Sequence, residues 1–279
     1  MFWLLLAVLA DFGFVQLFKL GQRRRHAAPV IVAANYLTLG VVLALYLLVT
    51  GASAPPVAAL ALGVGTGVFF ISTMLVLNHA LTQAPLGAVL TSFRMSILLP
   101  LAMGVWIWNE PLSPFQAFGL ALALAALALM PAGGNTQRRV SAPAILGLLV
   151  AIFLLQGICN TALRAVHYQG WDVYFLHILM AAGFTGGGLG LVYLRFRKVQ
   201  PTRPALFFGA GIGVYNAIST PIVLTALSHF PGTTYFPIAG CGIVVLDNLF
   251  AHFYWREPLS RTALIGVGVA ITSLIVILF

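Results

Sequence analysis

Charged side chains are nearly missing from this chain: they make up 7% of 279 residues, and only five are acidic. A water-soluble domain has about a quarter of its residues charged, so that class is excluded. Cysteine is as scarce. Cys159 and Cys241 both fall in apolar stretches, where they read as small buried hydrophobes rather than a disulfide or a metal pair. No His-Glu-x-x-His or Gly-x-Ser-x-Gly motif occurs, the six histidines are dispersed, and the two glutamates, Glu110 and Glu257, stand far apart. An intramembrane enzyme would need a nucleophile–base pair or a metal cluster, so no catalytic residue, metal or cofactor is expected. No basic n-region precedes the apolar start, which argues against a cleaved signal peptide. The net charge of +9 is spread over short loops, which excludes a nucleic-acid-binding patch.

What the chain has in abundance is apolar length, with 61% hydrophobic residues and a mean hydropathy of +1.03. A membrane-crossing helix needs ~20 apolar residues. Ten stretches qualify, near 2–20, 28–50, 57–80, 86–108, 112–131, 142–163, 172–194, 204–228, 232–255 and 260–278. Their breaks carry turn chemistry, among them Gly51, Pro85, Pro111, Gly170, Pro231-Gly232 and Pro258. None of the stretches alternates polar and apolar residues as a barrel strand would. The expected fold is an all-α membrane protein of ten transmembrane helices.

The second half repeats the first. At an offset of 147, Glu110-Pro111-Leu112-Ser113 matches Glu257-Pro258-Leu259-Ser260, and Gly119 matches Gly266. At 146, Gly63-x-Gly65-x-Gly67 matches Gly209-x-Gly211-x-Gly213, and Pro85 matches Pro231. At 144, Gly13-x-x-Gln16 matches Gly157-x-x-Asn160. Residues 1–135 and 136–279 are thus two copies of a five-helix unit. Five is odd, so the second copy enters the membrane from the opposite side, giving a 5+5 inverted-topology repeat of the kind that recurs in secondary transporters. Lys19, Arg23, Arg24, Arg25, Arg138, Arg139, Arg195, Arg197, Lys198, Arg203, Arg256 and Arg261 all adjoin loops of one face, whereas Arg164 alone adjoins the other. The positive-inside rule then predicts both termini outside, in a bacterial inner membrane.

The run Pro85-Leu86-Gly87-Ala88, Pro100, Trp108-Asn109-Glu110-Pro111-Leu112-Ser113, Gln116 and Gly119, with its second copy from Pro231 to Phe279, resembles EamA-type transporters of the drug/metabolite transporter superfamily. The resemblance spans essentially the whole chain. It implies a carrier that moves small metabolites by alternating access through a cavity lined by spans 1 to 4 and 6 to 9, with spans 5 and 10 set apart. Several relatives have cytoplasmic termini; the basic residues of this chain predict the reverse. Relatives differ widely in cargo, so the resemblance names none.

Candidate cavity residues are those whose burial in a membrane is expensive. Arg94 lies deep in span 4, where an arginine costs ~2.5–3.5 kcal/mol on insertion scales. Asp247 lies in span 9. Arg94 aligns with Gly240 or Cys241 and Asp247 with Pro100, so neither charge is dictated by the repeat. As a cation and an anion at mid-depth they suit a zwitterion that bridges them, or else pair with each other. Asp11 in span 1, near Gln16, is a candidate proton-coupling carboxylate or a partner for Arg94. Lys19 is expected to snorkel toward the basic loop. Asn35-Tyr36 and Tyr215-Asn216 are amide–aromatic pairs suited to a small polar cargo with an apolar part. Ser92 and Ser96, flanking Arg94, either shape the cavity or bond to carbonyls one turn back. Asn78, Asn160, His177 and Asn248 read as interhelical hydrogen bonders.

The expected function is secondary transport of a small polar metabolite, with amino acids as the leading cargo class. The alternatives are export of cationic or aromatic drug-like compounds and, in a different class, a non-transporting membrane scaffold or accessory subunit. The expected partners are the small-molecule substrate and the lipid bilayer, with a monomer sufficient.

Overall fold

The computed structural model describes residues 1–84, 86–129, 142–254 and 261–278. Pro85, Pro131, Arg138, Arg139 and the whole second corner with Arg256, Glu257 and Pro258 lie outside them. Among the described residues all regular structure is helical. The helices are α1 (Phe2–Arg23), α2 (Ala28–Thr50), α3 (Val57–Gln83), α4 (Leu86–Met95), α5 (Leu98–Trp106), α6 (Pro114–Leu129), α7 (Ala142–Tyr168), α8 (Phe175–Phe196), α9 (Arg203–His229), α10 (Gly232–Phe253) and α11 (Arg261–Leu278). Helix is the outcome expected of apolar spans, because each backbone N–H and C=O is then satisfied inside its own segment. Among the described residues, seven helices (α1, α2, α3, α7, α8, α9 and α10) are long and apolar enough to cross a membrane. The chain is therefore compatible with an integral membrane protein. The stretch 92–106, α6 and α11 are shorter apolar helices.

The termini of the helices follow the turn residues. α2 ends at Gly51, whose φ of 62° is open to glycine without strain and lets its N–H cap the Leu47 carbonyl. Pro29 and Pro204 stand in the first turns of α2 and α9, where a missing N–H costs nothing.

The stretch 86–108 differs from the single span predicted. It is two helices, α4 and α5, separated by a turn at Ser96 and Ile97. Pro100, four residues after Ser96, marks the break: it has no N–H for the Ser96 carbonyl and its ring crowds that carbonyl. Ser96 Oγ donates to the Phe93 carbonyl at 2.6 Å, and the Leu99 N–H reaches only as far as the Ser96 carbonyl at 3.1 Å. From α7, Gly157 packs into the gap: a Cβ there would meet Leu99 Cβ at 2.7 Å and the Ser96 carbonyl oxygen at 3.1 Å.

α2 is wedged between α8 and α9, while α3 packs on α8 and α7, α1 on α9 and α10, and α6 on α11. The repeated glycines permit the closest of these approaches. A Cβ on Gly63 or Gly67 would lie 2.5 Å from the carbonyl oxygen of Ile178 or Ala182 in α8. A Cβ on Gly209 or Gly213 would lie 2.7 or 2.6 Å from the carbonyl oxygen of Ile31 or Asn35 in α2. These registers make α3 parallel to α8, and α9 parallel to α2. The glycines of α8 act likewise: Gly183, Gly187 and Gly190 seat α8 on α2.

Two faces result. Val30, Ala33, Leu194 and Ala205 form one small cluster, so the start of α2, the end of α8 and the start of α9 are neighbours. Lys19, Arg23, Arg24, Arg25, Arg195, Arg197, Lys198 and Arg203 belong to this basic face, with Arg24 over the Phe208 ring at 5.6 Å. The opposite face holds the Asn109–Glu110 corner, the end of α7 and the start of α10. We call it the corner face.

Candidate functional site

Three charges predicted from separate spans meet inside the bundle. Arg94 Nη2 of α4 lies 3.1 Å from Asp247 Oδ2 of α10, and the other carboxylate oxygen accepts a hydrogen bond from Gln16 Nε2 of α1 at 2.8 Å. Asp11 of α1 is within electrostatic reach of Arg94. The side chains of Arg94 and Asp247 retain 18% and 22% exposure, so the pair is only partly buried. Lys19, read from the sequence as snorkelling away, stands within electrostatic reach of Asp247 and belongs to the same neighbourhood.

Tyr215 joins this cluster from α9. Its hydroxyl donates to the Ala10 carbonyl at 2.9 Å, it covers Gly13, and Asp11 lies within its electrostatic reach. Tyr235 of α10, absent from the sequence-based candidates, is 2% exposed. Its hydroxyl has no hydrogen-bond partner among the described residues, and Asp11 lies within its reach. Its only sequence signal is a polar aromatic within an apolar span, which it shares with other tyrosines.

The remaining candidates are placed elsewhere. Asn35 and Asn216 bond to each other across α2 and α9 at 3.3 Å, and Thr220 donates to the Asn216 amide oxygen at 2.5 Å. The Asn35 Nδ2 is buried with no partner among the described residues. Tyr36 is buried and stacks on Phe70, with ring centroids 5.8 Å apart. Ser92 donates across to the Leu149 carbonyl of α7 at 2.6 Å, whereas Ser96 bonds within its own turn. Ser92 therefore ties α4 to α7, and Ser96 bonds at the α4–α5 break itself. Asn78 donates to the Met74 carbonyl at 2.8 Å and Asn160 accepts from Gln156 at 3.2 Å, each within its own helix rather than between helices.

Burial changes along α1. Toward the corner face Leu4, Ala7, Val8 and Ala10 are buried, while Leu5 and Leu9 are exposed, a one-sided helix. From Asp11 to Leu20 every residue is half-buried. α10 changes in the same way: Tyr235, Phe236, Ile238, Ala239 and Cys241 are buried, and positions 245–248 are half-buried. Half-buried side chains thus continue from Arg94 and Asp247 toward the basic face, with buried side chains on the corner side.

The corner side is sealed by an ion pair that the sequence reading missed. Arg164, read only as the lone basic residue of its face, is buried, with Nε 3.0 Å and Nη2 2.6 Å from Glu110 Oε1. Arg164 and Glu110 side chains are 4% and 3% exposed. Arg164 Nη1 also donates to the Leu227 carbonyl of α9, and Tyr168 donates its hydroxyl to Glu110 Oε1. The Trp108 ring stacks on Tyr168 at 4.5 Å. Glu110 Oε2 accepts the Thr233 N–H at 2.9 Å, and the Gly232 N–H also bonds to this carboxylate, so Glu110 caps the positive end of α10. Asn109, at φ 52°, turns the chain so that the Glu110 N–H reaches the Gly104 carbonyl at 2.9 Å. Ser113 and Gln116 then form a reciprocal capping box at the start of α6, at 3.0 and 3.1 Å. The Glu-Pro-Leu-Ser motif is therefore two caps in sequence, one for α10 and one for α6.

Burial acts to raise the pKa of Glu110, but the bonds from Tyr168, the Thr233 amide, Arg164 and the Gly232 amide outweigh it and hold the carboxyl below its usual range. A depressed folded-state pKa stabilises above the unfolded value of roughly 4.3, and the effect is lost as pH falls through the lower folded value. The stability difference between the parent protein and Glu110→Gln is thus expected to be constant above about pH 6 and to shrink below about pH 4. Thermal unfolding in detergent across that range measures it; a difference independent of pH would refute the charged cap.

No protein-family model matches the chain. An uncharacterized protein of Haemophilus influenzae is 22% identical to it over 211 residues, which make up 75% of this chain and 72% of that protein. A protein of known crystal structure matches it with a TM-score of 0.77 at 17% identity, over 99% of this chain and 94% of the other. At that identity the likeness is one of fold alone.

Proposed function

We propose that this chain is an EamA-type secondary transporter with ten transmembrane helices in a 5+5 inverted repeat. In this reading it moves a small polar metabolite across a bacterial inner membrane by alternating access. The observation that carries the proposal is the meeting of Arg94, Asp247, Gln16 and Asp11 between helices of the two sequence repeats, α1 and α4 from the first and α10 from the second. Intramembrane charges that face a wet interior mark cargo or ion paths.

Two further features support it. Exchanging the repeats maps the packing onto itself: α2 on α9 becomes α8 on α3, α1 on α9 becomes α7 on α3, and α2 on α8 and α6 on α11 become themselves. The α4–α5 break places irregular backbone beside Arg94, and discontinuous helices of this kind form the midplane sites of many carriers. The basic face is the cytoplasmic one by the positive-inside rule, which puts both termini outside. The proposed roles include no catalysis, metal or nucleic acid.

Amino acids are the first cargo class in this reading. A cationic cargo is the second, and a specific observation favours it. Arg94 is already held by Asp247, and Asp11 adds a second carboxylate beside Tyr215 and Tyr235. Counterflow of labelled compounds in proteoliposomes tests both. Exchange of a neutral amino acid supports the first class, exchange restricted to organic amines supports the second, and exchange of nothing across a metabolite panel removes the transporter reading.

A further inference from the structure

The polar cluster and the buried corner belong to one mechanical unit, and α10 joins them. Its first turn is clamped by Glu110 through the Gly232 and Thr233 amides. Tyr235, in the next positions of the same helix, directs an unpartnered, buried hydroxyl to the neighbourhood of Asp11. Farther along, Asp247 holds Arg94. The corner thus ties together α5 and α6 through Glu110, α7 through Arg164 and Tyr168, α9 through the Leu227 carbonyl, and α10 through its N-terminus.

We propose that the Glu110–Arg164–Tyr168 cluster is the lock that closes the corner face over the polar cluster, and that opening to that face consists in releasing the first turn of α10 from Glu110. The inference rests on the transporter reading, in which the cargo must reach Arg94 and Asp247 from either side. In this structure the side chains of α1 and α10 are half-buried toward the basic face and buried toward the corner face. A carrier that exposes its site to both faces in turn has to break whatever seals the second one. Among the described residues the seal is a single carboxylate, held by α7 through Arg164 and Tyr168 and by α10 through its first amides, with Glu110 and Arg164 buried. Such a group has two stable arrangements, fully bonded or fully hydrated, and a half-open one leaves buried charge unpaired. That makes it a two-state closure rather than a graded one. Glu110 and Arg164 act here as positioning residues; neither touches cargo.

The test reads accessibility. In a background with Cys159 and Cys241 replaced by serine, single cysteines are placed by Tyr235→Cys and Val8→Cys, both on the packed side of the cluster. A membrane-impermeant maleimide is then applied from each face in turn. With the lock intact, labelling from the corner face is slow. With Glu110→Gln it is expected to rise about 10-fold or more, a population shift of roughly 1.4 kcal/mol, while labelling from the basic face falls or stays level. Tyr168→Phe, which removes one bond and no charge, is expected to give a smaller rise and serves if Glu110→Gln does not accumulate as a monodisperse protein. Unchanged corner-face labelling in a folded Glu110→Gln or Tyr168→Phe protein overturns the proposal, as does an equal rise from both faces. The assay uses no cargo, so the two readings fail separately. Gated labelling without exchange of any metabolite removes the transporter reading and leaves the closure standing. Exchange with ungated labelling removes the lock alone.

Discussion

Arg164→Ala lowers the stability of the folded protein by about 3–5 kcal/mol, the loss expected when one partner of a buried ion pair is removed. The substitution strips Glu110 Oε1 of two charge-assisted bonds and leaves the Leu227 carbonyl without its donor. Glu110 stays buried with its amide caps from α10, so the cost is that of an uncompensated carboxylate rather than of a missing contact. The Arg164 side chain also stacks over the Tyr168 ring at 4.8 Å, which adds a smaller packing loss. The double variant Arg164→Ala with Glu110→Gln is expected to recover part of the loss, because the residual group is then neutral and still accepts hydrogen bonds. Thermal or denaturant unfolding in detergent measures both. A loss below about 1 kcal/mol, the value of an exposed pair, would show that water replaces the guanidinium at the corner.

Arg94→Ala is the opposite case: little change in stability and a collapse of exchange. The Arg94–Asp247 pair retains 18% and 22% exposure, so it is far less desolvated than the Arg164–Glu110 pair, and the expected stability cost is nearer 1 kcal/mol. The effect on transport is expected to exceed about 100-fold, because Asp247 and Asp11 are then left with no cation from α4 to orient them or the cargo. Asp247→Asn keeps the shape and the Gln16 bond while freeing Arg94, and separates the loss of charge from the loss of packing. Asp11→Asn discriminates between cargo classes: it abolishes exchange of organic amines and only weakens exchange of a zwitterion held chiefly by Arg94 and Asp247. Initial counterflow rates at matched protein abundance decide. Full retained exchange in a folded Arg94→Ala protein would dismiss the cluster as the cargo site.

The contrast between the two arginines shows what a sequence can and cannot express. Arg94 was legible as a costly residue because it sits in an apolar span. Its partner was not, since Asp11 and Asp247 were both eligible and the choice depends on how α10 lies against α4. Arg164 adjoins a loop and looked inexpensive. Its burial comes from the corner folding over the end of α7, a contact between residues 54 positions apart. The α4–α5 break was legible only in part: Pro100 has no N–H for the Ser96 carbonyl, which favours a kink there. The structure adds a serine bonding to the backbone of its own turn and a glycine of α7 that lets a neighbouring helix press into the gap.

The sequence by itself determined that the chain is helical and membrane-compatible, because apolar runs of that length have no other way to satisfy their backbone. It also determined where most helices end and which polar residues are expensive to bury, since both depend on local chemistry. Only the tertiary structure decided which of those residues meet. It brought Arg94, Asp247, Gln16 and Asp11 into one partly buried cluster, left Tyr36 stacked on Phe70, and turned the Glu110 corner into a cap for α10. Those outcomes depend on the relative placement of whole helices, which glycine contacts and a few long-range hydrogen bonds set and which no local window of residues encodes.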